Sequence, residues 1–108
     1  METKVVHVSR EPYDYYIGHK RPNIATADSP FCKPWSMGGQ GREYAIISFA
    51  VYWFSPPQAP LRKLARDLLA GKILACWCAP LWCHGHIIAG YLNWKVKLES
   101  ENWEGKNT

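Results

Sequence analysis

The stretch Lys72–Trp94, K-I-L-A-C-W-C-A-P-L-W-C-H-G-H-I-I-A-G-Y-L-N-W, constrains the fold more than any other part of the chain. It opens with an apolar run rich in β-formers, Ile73 to Cys78. Pro80 stops that run, because proline has no N–H for a sheet ladder. After Cys83-His84-Gly85 the apolar period changes, and Ile87, Ile88, Tyr91 and Leu92 recur at helical spacing. The stretch therefore reads strand, tight loop, helix. Three of the four cysteines and two of the four histidines sit in the loop and its rims. In open α/β sheets, ligands bind in the crevice at the carboxyl ends of the strands, beside the next helix N-terminus. The stretch thus marks a place for a site before it names a chemistry.

The remaining chain supplies partners for this unit. Lys4 to Arg10 holds a β-branched run, with Val5 to Val8 as a strand, and Glu11-Pro12 breaks it. Tyr13 to Gly18 reads as an edge strand or a loop entrance. From His19 to Gly41 the pattern has no period and is rich in proline and glycine. A loop of that length in a small domain is usually functional. Its tip, Lys20-Arg21-Pro22-Asn23, is basic, and Phe31 and Trp35 are placed to pin it to the body. Tyr44 to Phe54 is too long for a typical strand and reads as a helix, with Ala45, Ser48 and Ala50 for close packing. Being apolar on all sides, it is expected to be buried on most of them.

Pro60 to Ala70 is a second helix, with Leu61, Leu64, Ala65, Leu68 and Leu69 as its apolar stripe. Gly71 stands where a helix C-terminus prefers glycine. A third helix covers His86 to Asn93. Lys95 to Leu98 alternates like a short strand, and a polar tail over 99–108 is expected to fray. The expectation is one α/β domain over 1–98, a short central sheet with packed helices in a Rossmann-like two- or three-layer arrangement. A chain of 108 residues leaves little room for a second domain.

Composition excludes several classes. An apolar fraction of 47% argues against disorder. No run of about 18 apolar residues exists, so no membrane span is expected, and the N-terminus lacks a signal-peptide core. A cytosolic protein with reduced thiols is the default. A net charge of +4, scattered along the chain, suits an anionic ligand or an acidic partner but is a weak nucleic-acid signal. Six tryptophans fill the core, stack on a base, or anchor an interface.

Four separated pieces resemble the family called domain of unknown function 4326, a small family of bacteria and their phages. Tyr13-Asp14-Tyr15-Tyr16-Ile17-Gly18 is similar to its opening Tyr-Asp-x-Tyr-Ile-Gly. Ser29 to Trp35 resembles a divergent form of its Ser-x-Trp-Gly-Asn-Pro-Phe segment. Gly41-Arg42-Glu43 resembles the Arg-Glu that opens its long helix. Cys76 to Gly85 follows its Cys-Trp-Cys-x-Pro-x-x-Cys-His-Gly signature at every position. The chain departs from the pattern at His19, usually arginine, at Cys32-Lys33, usually Gly-Asn, and at Trp35 and His86. It also carries an insertion near Lys20 to Asp28. The resemblance spans roughly residues 4 to 94. It implies an α/β fold, a site, and a cytoplasmic place in a bacterium or phage-infected host, but no substrate.

The chemistry of the cluster stays open among four readings. Cys76 and Cys78 lie two apart on a strand and point to one face. With Cys83 and His84 they form a conceivable tetrahedral zinc set, Cys32 or His86 being further candidates, although the C-x2-C spacing is absent. Alternatively, Cys83 at a helix N-terminus beside His84 or His86 is an activated nucleophile, with Cys78 next in line. In the third reading the site is a pocket. Gly85 and His86 then hold an anion, Gly18 and His19 cover it, and Trp35, Trp77 or Trp82 stacks on a ring. Arg42, set against the helix dipole, would serve the ligand or Asp14. Finally, Cys76, Cys78 and Cys83 are plain core residues.

The expected function is binding of a nucleotide-like or other anionic ligand at this strand–loop–helix site, with processing of it left open. The rival is a non-enzymatic phage-type effector that binds a host protein through exposed aromatics and the basic loop, its Cys/His cluster being structural.

Overall fold

The computed structural model of the chain describes residues 2–32, 41–77 and 83–101, with the backbone alone for Arg42 and 96–101. Three strands, β1 (Lys4–His7), β2 (Tyr15–Tyr16) and β3 (Ile73–Cys76), form one parallel sheet in the order β1-β3-β2. Val5 and Tyr15 both pair with Leu74, and His7 pairs with Cys76. The central strand carries the continuous buried run that parallel sheets demand: Leu74, Ala75 and Cys76 are all buried. The ladder continues past the strand ends, with Val8 N–H donating to Cys76 O at 2.9 Å and Ile17 N–H to Ala75 O at 3.0 Å.

Within Tyr13–Gly18 only two residues form strand. Pro12 precedes them, and Asp14 replaces a ladder step with its side chain. Its N–H donates to Ile73 O and its carboxylate accepts from Ile73 N–H, both at 2.8 Å.

Helix α1 (Arg42–Phe54) confirms the helical reading of that run. Ala45, Ile46, Phe49 and Trp53 face the core at helical spacing. The expectation of burial on most sides is corrected, since Tyr44 (58%), Ile47 (57%), Val51 (71%) and Phe54 (53%) are exposed along the other face. The physical reason is scarcity: among the described residues, elements pack on α1 from one side only. Ser55 closes the helix, its N–H and Oγ both donating to Tyr52 O. Arg62 Nη1 donates to Trp53 O at 2.6 Å and Ser55 O at 2.9 Å, satisfying carbonyls that a helix end leaves orphaned.

After a 3-10 turn at Pro56–Gln58 comes α2 (Ala59–Leu68). Its inward stripe is narrower than expected. Ala65 and Leu69 are buried, while Leu64 and Leu68 lie at the surface. Gly71 at φ 78° takes the left-handed turn after the helix, as its position suggested.

Helix α3 (His84–Glu101) is the axis of the core. It packs on β1 and β3, and α1 and α2 pack on it in turn. Ile88, Tyr91 and Leu92 meet Phe49, Trp53, Ala65, Leu69 and Leu74 in one cluster. Asn93 ties the helix to the start of β1, accepting from Thr3 N–H at 2.7 Å and donating to Thr3 O at 3.1 Å. The short strand expected at Lys95–Leu98 is corrected to helix. No Gly or Pro follows Tyr91 there, and extending an existing helix costs far less than nucleating a new element. Residues 102–108 of the expected tail lie outside the described residues.

Candidate functional site

The carboxyl edge of the sheet gathers rings and one cation. Side chains alternate along β3, so Cys76 points into the core and Trp77 emerges, 38% exposed. His7, at the end of β1, meets Trp77 edge-on with centroids 5.5 Å apart. Its Nδ1 accepts from Ser9 N–H at 3.1 Å, with Ser9 Oγ at 2.9 Å. Trp77 Nε1–H donates to Tyr16 Oη at 3.2 Å, and Tyr16 Oη–H donates onward to His19 O at 2.7 Å. Arg21 lays its guanidinium over the indole, 4.6 Å from the ring centre. Such stacking contributes roughly 0.5–1 kcal/mol at an exposed position and fixes the side chain's direction.

Beside this edge lies a cavity of about 990 Å³ between β2 and the loop of residues 20–30, with Asp14, Tyr15 and Tyr16 as one wall. Its two carboxylates are engaged with backbone. Asp14 holds Ile73 N–H, and Asp28 Oδ1 accepts from Lys20 N–H at 2.7 Å. That backbone bond, helped by nearby His19, holds the Asp28 carboxyl below its ordinary range despite slight desolvation. Among the described residues, Lys20 and Arg21 make no ion pair.

On the inner side the structure brings Cys76 and Cys83 together, with Sγ atoms 3.0 Å apart and both residues buried. His84, also buried, sets its ring edge against Phe49 and has Nε2 3.0 Å from Ile17 O. A carbonyl only accepts, so Nε2 carries the proton in this contact. His86 accepts Cys83 N–H on Nδ1 at 3.0 Å while its own N–H donates to Cys83 O at 2.9 Å. The first bond is the N3 half of a capping box, with imidazole in place of a carboxylate, and the second is a backbone turn.

Gly85 is buried, and a Cβ there would come within 2.8 Å of Ile17 Cδ1 and 3.1 Å of Val5 Cγ1. The glycine lets α3 approach the strands, and His86 occupies the Cys83 N–H at the helix start. Gly18 is likewise buried, and a Cβ there would run into the Tyr16 ring. Cys78 and Trp35 lie outside the described residues, as does the Arg42 side chain.

Cys32 does not join Cys76 and Cys83 as a further ligand. It lies beside His19 and Asp28, and the donor atoms of these three sit within 4.8 Å of one another. Burial first, and then the Asp28 carboxylate, push the Cys32 thiol above its ordinary value. Sequence reasoning picked out the basic loop tip and Trp77 separately. Their stacking across the fold, and the part of His7 in it, carried no local signal.

These features define a small α/β domain with a parallel three-stranded sheet and a ring-and-cation cluster at its carboxyl edge. The chain belongs to the family described as domain of unknown function (DUF4326), which it matches over residues 1–94. No curated protein and no solved structure matches it. Among the described residues, no helix is long and apolar enough to cross a membrane.

Proposed function

We propose that this protein binds a small anionic, nucleotide-like ligand at the carboxyl edge of its sheet. The observation that carries this reading is the Arg21–Trp77 stack just past the end of the central strand, with Arg21 also lining the cavity beside β2. Open parallel sheets place ligands at this edge. A volume of about 990 Å³ lies at the upper end of the roughly 300–1,000 Å³ typical of small-molecule sites. Trp77 offers a ring to stack on a base, and Arg21 and Lys20 offer charge to a phosphate or carboxylate. The carboxylates nearby already accept backbone N–H groups, which lessens their competition for those cations.

Isothermal titration against nucleosides, nucleotides and sugar phosphates tests this. Arg21→Ala and Trp77→Ala change side chains at the surface and leave the core intact. Loss of a charge-assisted bond contributing about 1.5–3 kcal/mol weakens the best binder by about tenfold or more. The reading fails if nothing binds the wild type below about 1 mM, or if both variants bind as tightly as the wild type.

The exposed stripe Tyr44, Ile47, Val51 and Phe54 on α1 favours a second reading, a non-enzymatic effector that docks on a host protein. In that case the buried Cys76, Cys83 and His84 are structural. Val51→Glu would then abolish capture of the partner and leave the nucleotide titration unchanged.

A further inference from the structure

After β2 the segment 17–32 folds back on itself and brings three metal-type donors to one place. It leaves the sheet at Gly18, whose carbonyl accepts Ser29 N–H at 3.1 Å. Arg21 and Ala25 close an antiparallel bridge inside it, and Phe31 is fully buried as its anchor. Tyr16 Oη holds the His19 carbonyl, and the Lys20 N–H holds Asp28 Oδ1. The Cys32 N–H donates to Ser29 O at 3.1 Å, so the backbone carries His19, Asp28 and Cys32 to one place. Their ligating atoms all lie within 4.8 Å of one another, and His19 Nδ1 is 3.7 Å from Asp28 Oδ2.

An ion pair between His19 and Asp28 explains two of the three groups only weakly. Exposed pairs contribute little. The pair also gives no reason for a thiol beside a carboxylate, where a thiolate is repelled. A divalent cation reconciles all three, because imidazole nitrogen, carboxylate oxygen and thiolate sulfur are the donors zinc takes.

We propose that His19 Nδ1, Asp28 Oδ2 and Cys32 Sγ bind a zinc-class divalent ion, with water in the fourth position. For bonds of about 2.0–2.3 Å the edges of a tetrahedral site are roughly 3.3–3.7 Å. The His19–Asp28 separation of 3.7 Å is within about 0.4 Å of the edge that nitrogen and oxygen ligands span. The other separations, at most 4.8 Å, close by about 1 Å through side-chain rotation. The His19 and Asp28 side chains are 47% and 53% exposed and have room to turn. The Lys20 N–H on Asp28 Oδ1 leaves Oδ2 for the metal and orients it. Loading exchanges the Cys32 S–H proton for a metal–sulfur bond and releases that proton to solvent, with no change of oxidation state. Three protein ligands with one open position form the pattern of zinc sites that accept an exogenous ligand. Asp28 also lines the cavity, which puts the ion at its wall. This site is separate from the buried Cys76–Cys83 pair and stands or falls independently of the anionic-ligand reading.

The test is a cobalt titration of reduced, metal-free protein carrying no histidine tag. Wild type should take up one Co²⁺, give a thiolate-to-cobalt charge-transfer band, and lose it to added Zn²⁺. Cys32→Ser and His19→Ala should each lower affinity by about tenfold or more, and Cys32→Ser should remove the band, with circular dichroism reporting the fold. Cys83→Ser should keep both band and affinity. Absence of a cobalt–thiolate band in the wild type overturns the proposal. So does a band that survives in Cys32→Ser and disappears in Cys83→Ser, since the ion would then sit at the buried pair. If Cys32→Ser fails to fold, His19→Ala decides: unchanged affinity in that folded variant also overturns the site.

Discussion

Gly85→Ala separates a packing role for this glycine from a ligand-binding one. An added Cβ would sit 2.8 Å from Ile17 Cδ1 and 3.1 Å from Val5 Cγ1. Ile17 is fully buried and cannot swing its terminal methyl into solvent, and Val5 is held in β1 by its ladder. Overpacking of this kind costs about 1–3 kcal/mol. Replacing glycine in a helix returns at most about 1 kcal/mol, and less in a first turn. A net destabilisation of about 1–2 kcal/mol is expected, or roughly 4–8 °C in Tm per kcal/mol for a domain of this size.

Ile17→Val removes the methyl that the new Cβ would strike, at a cost by itself of about 0.5–1.5 kcal/mol. In the double variant the clash is relieved, so the combined loss should fall short of the sum by about 1 kcal/mol. Urea unfolding of the wild type, both single variants and the double variant measures the cycle. Equal or higher stability of Gly85→Ala, or additivity within about 0.5 kcal/mol, would refute the packing account.

Phe31→Ala should cost about 3–5 kcal/mol, because Phe31 is fully buried and sets its ring against Tyr15 at 5.7 Å. A urea midpoint close to wild type would show that something else anchors the loop. In metal-free protein, Cys32 should react with iodoacetamide at neutral pH more slowly than a free thiol, since burial and Asp28 disfavour its thiolate. Its folded pKa lies above the unfolded one, so it stabilises the fold below the ordinary thiol value, about 8.5, and loses that contribution as pH rises through the folded value. Cys32→Ser should accordingly lose less stability than wild type between neutral and alkaline pH, and a parallel loss would sink this. Val51→Glu should leave stability within about 0.5 kcal/mol, given its exposure of 71%; a sharp drop in Tm would mean that this face of α1 is covered in solution.

What was legible in the chain was local. The apolar run from Ile73 marks β3, which ends at Cys76, two residues short of the expected Cys78; the 3.6-residue period after Gly85 marks α3, and the length of Tyr44–Phe54 marks α1. Each depends on neighbours a few residues apart, where backbone sterics and side-chain period act directly. The same locality misled at Lys95–Leu98, where alternation fits a strand but an already nucleated helix runs on to Glu101. The site was legible as a place at the carboxyl end of β3, but its membership was not. His86 caps α3 and Gly85 admits Ile17, roles set by chain 67 residues or more away or by helix geometry. Arg21 reaches Trp77, and Cys32 joins His19 and Asp28, only because β2 pairs with β3 and Phe31 pins the returning loop. Contacts between distant segments follow from how the elements pack, and no periodicity records which side chains that packing will bring face to face.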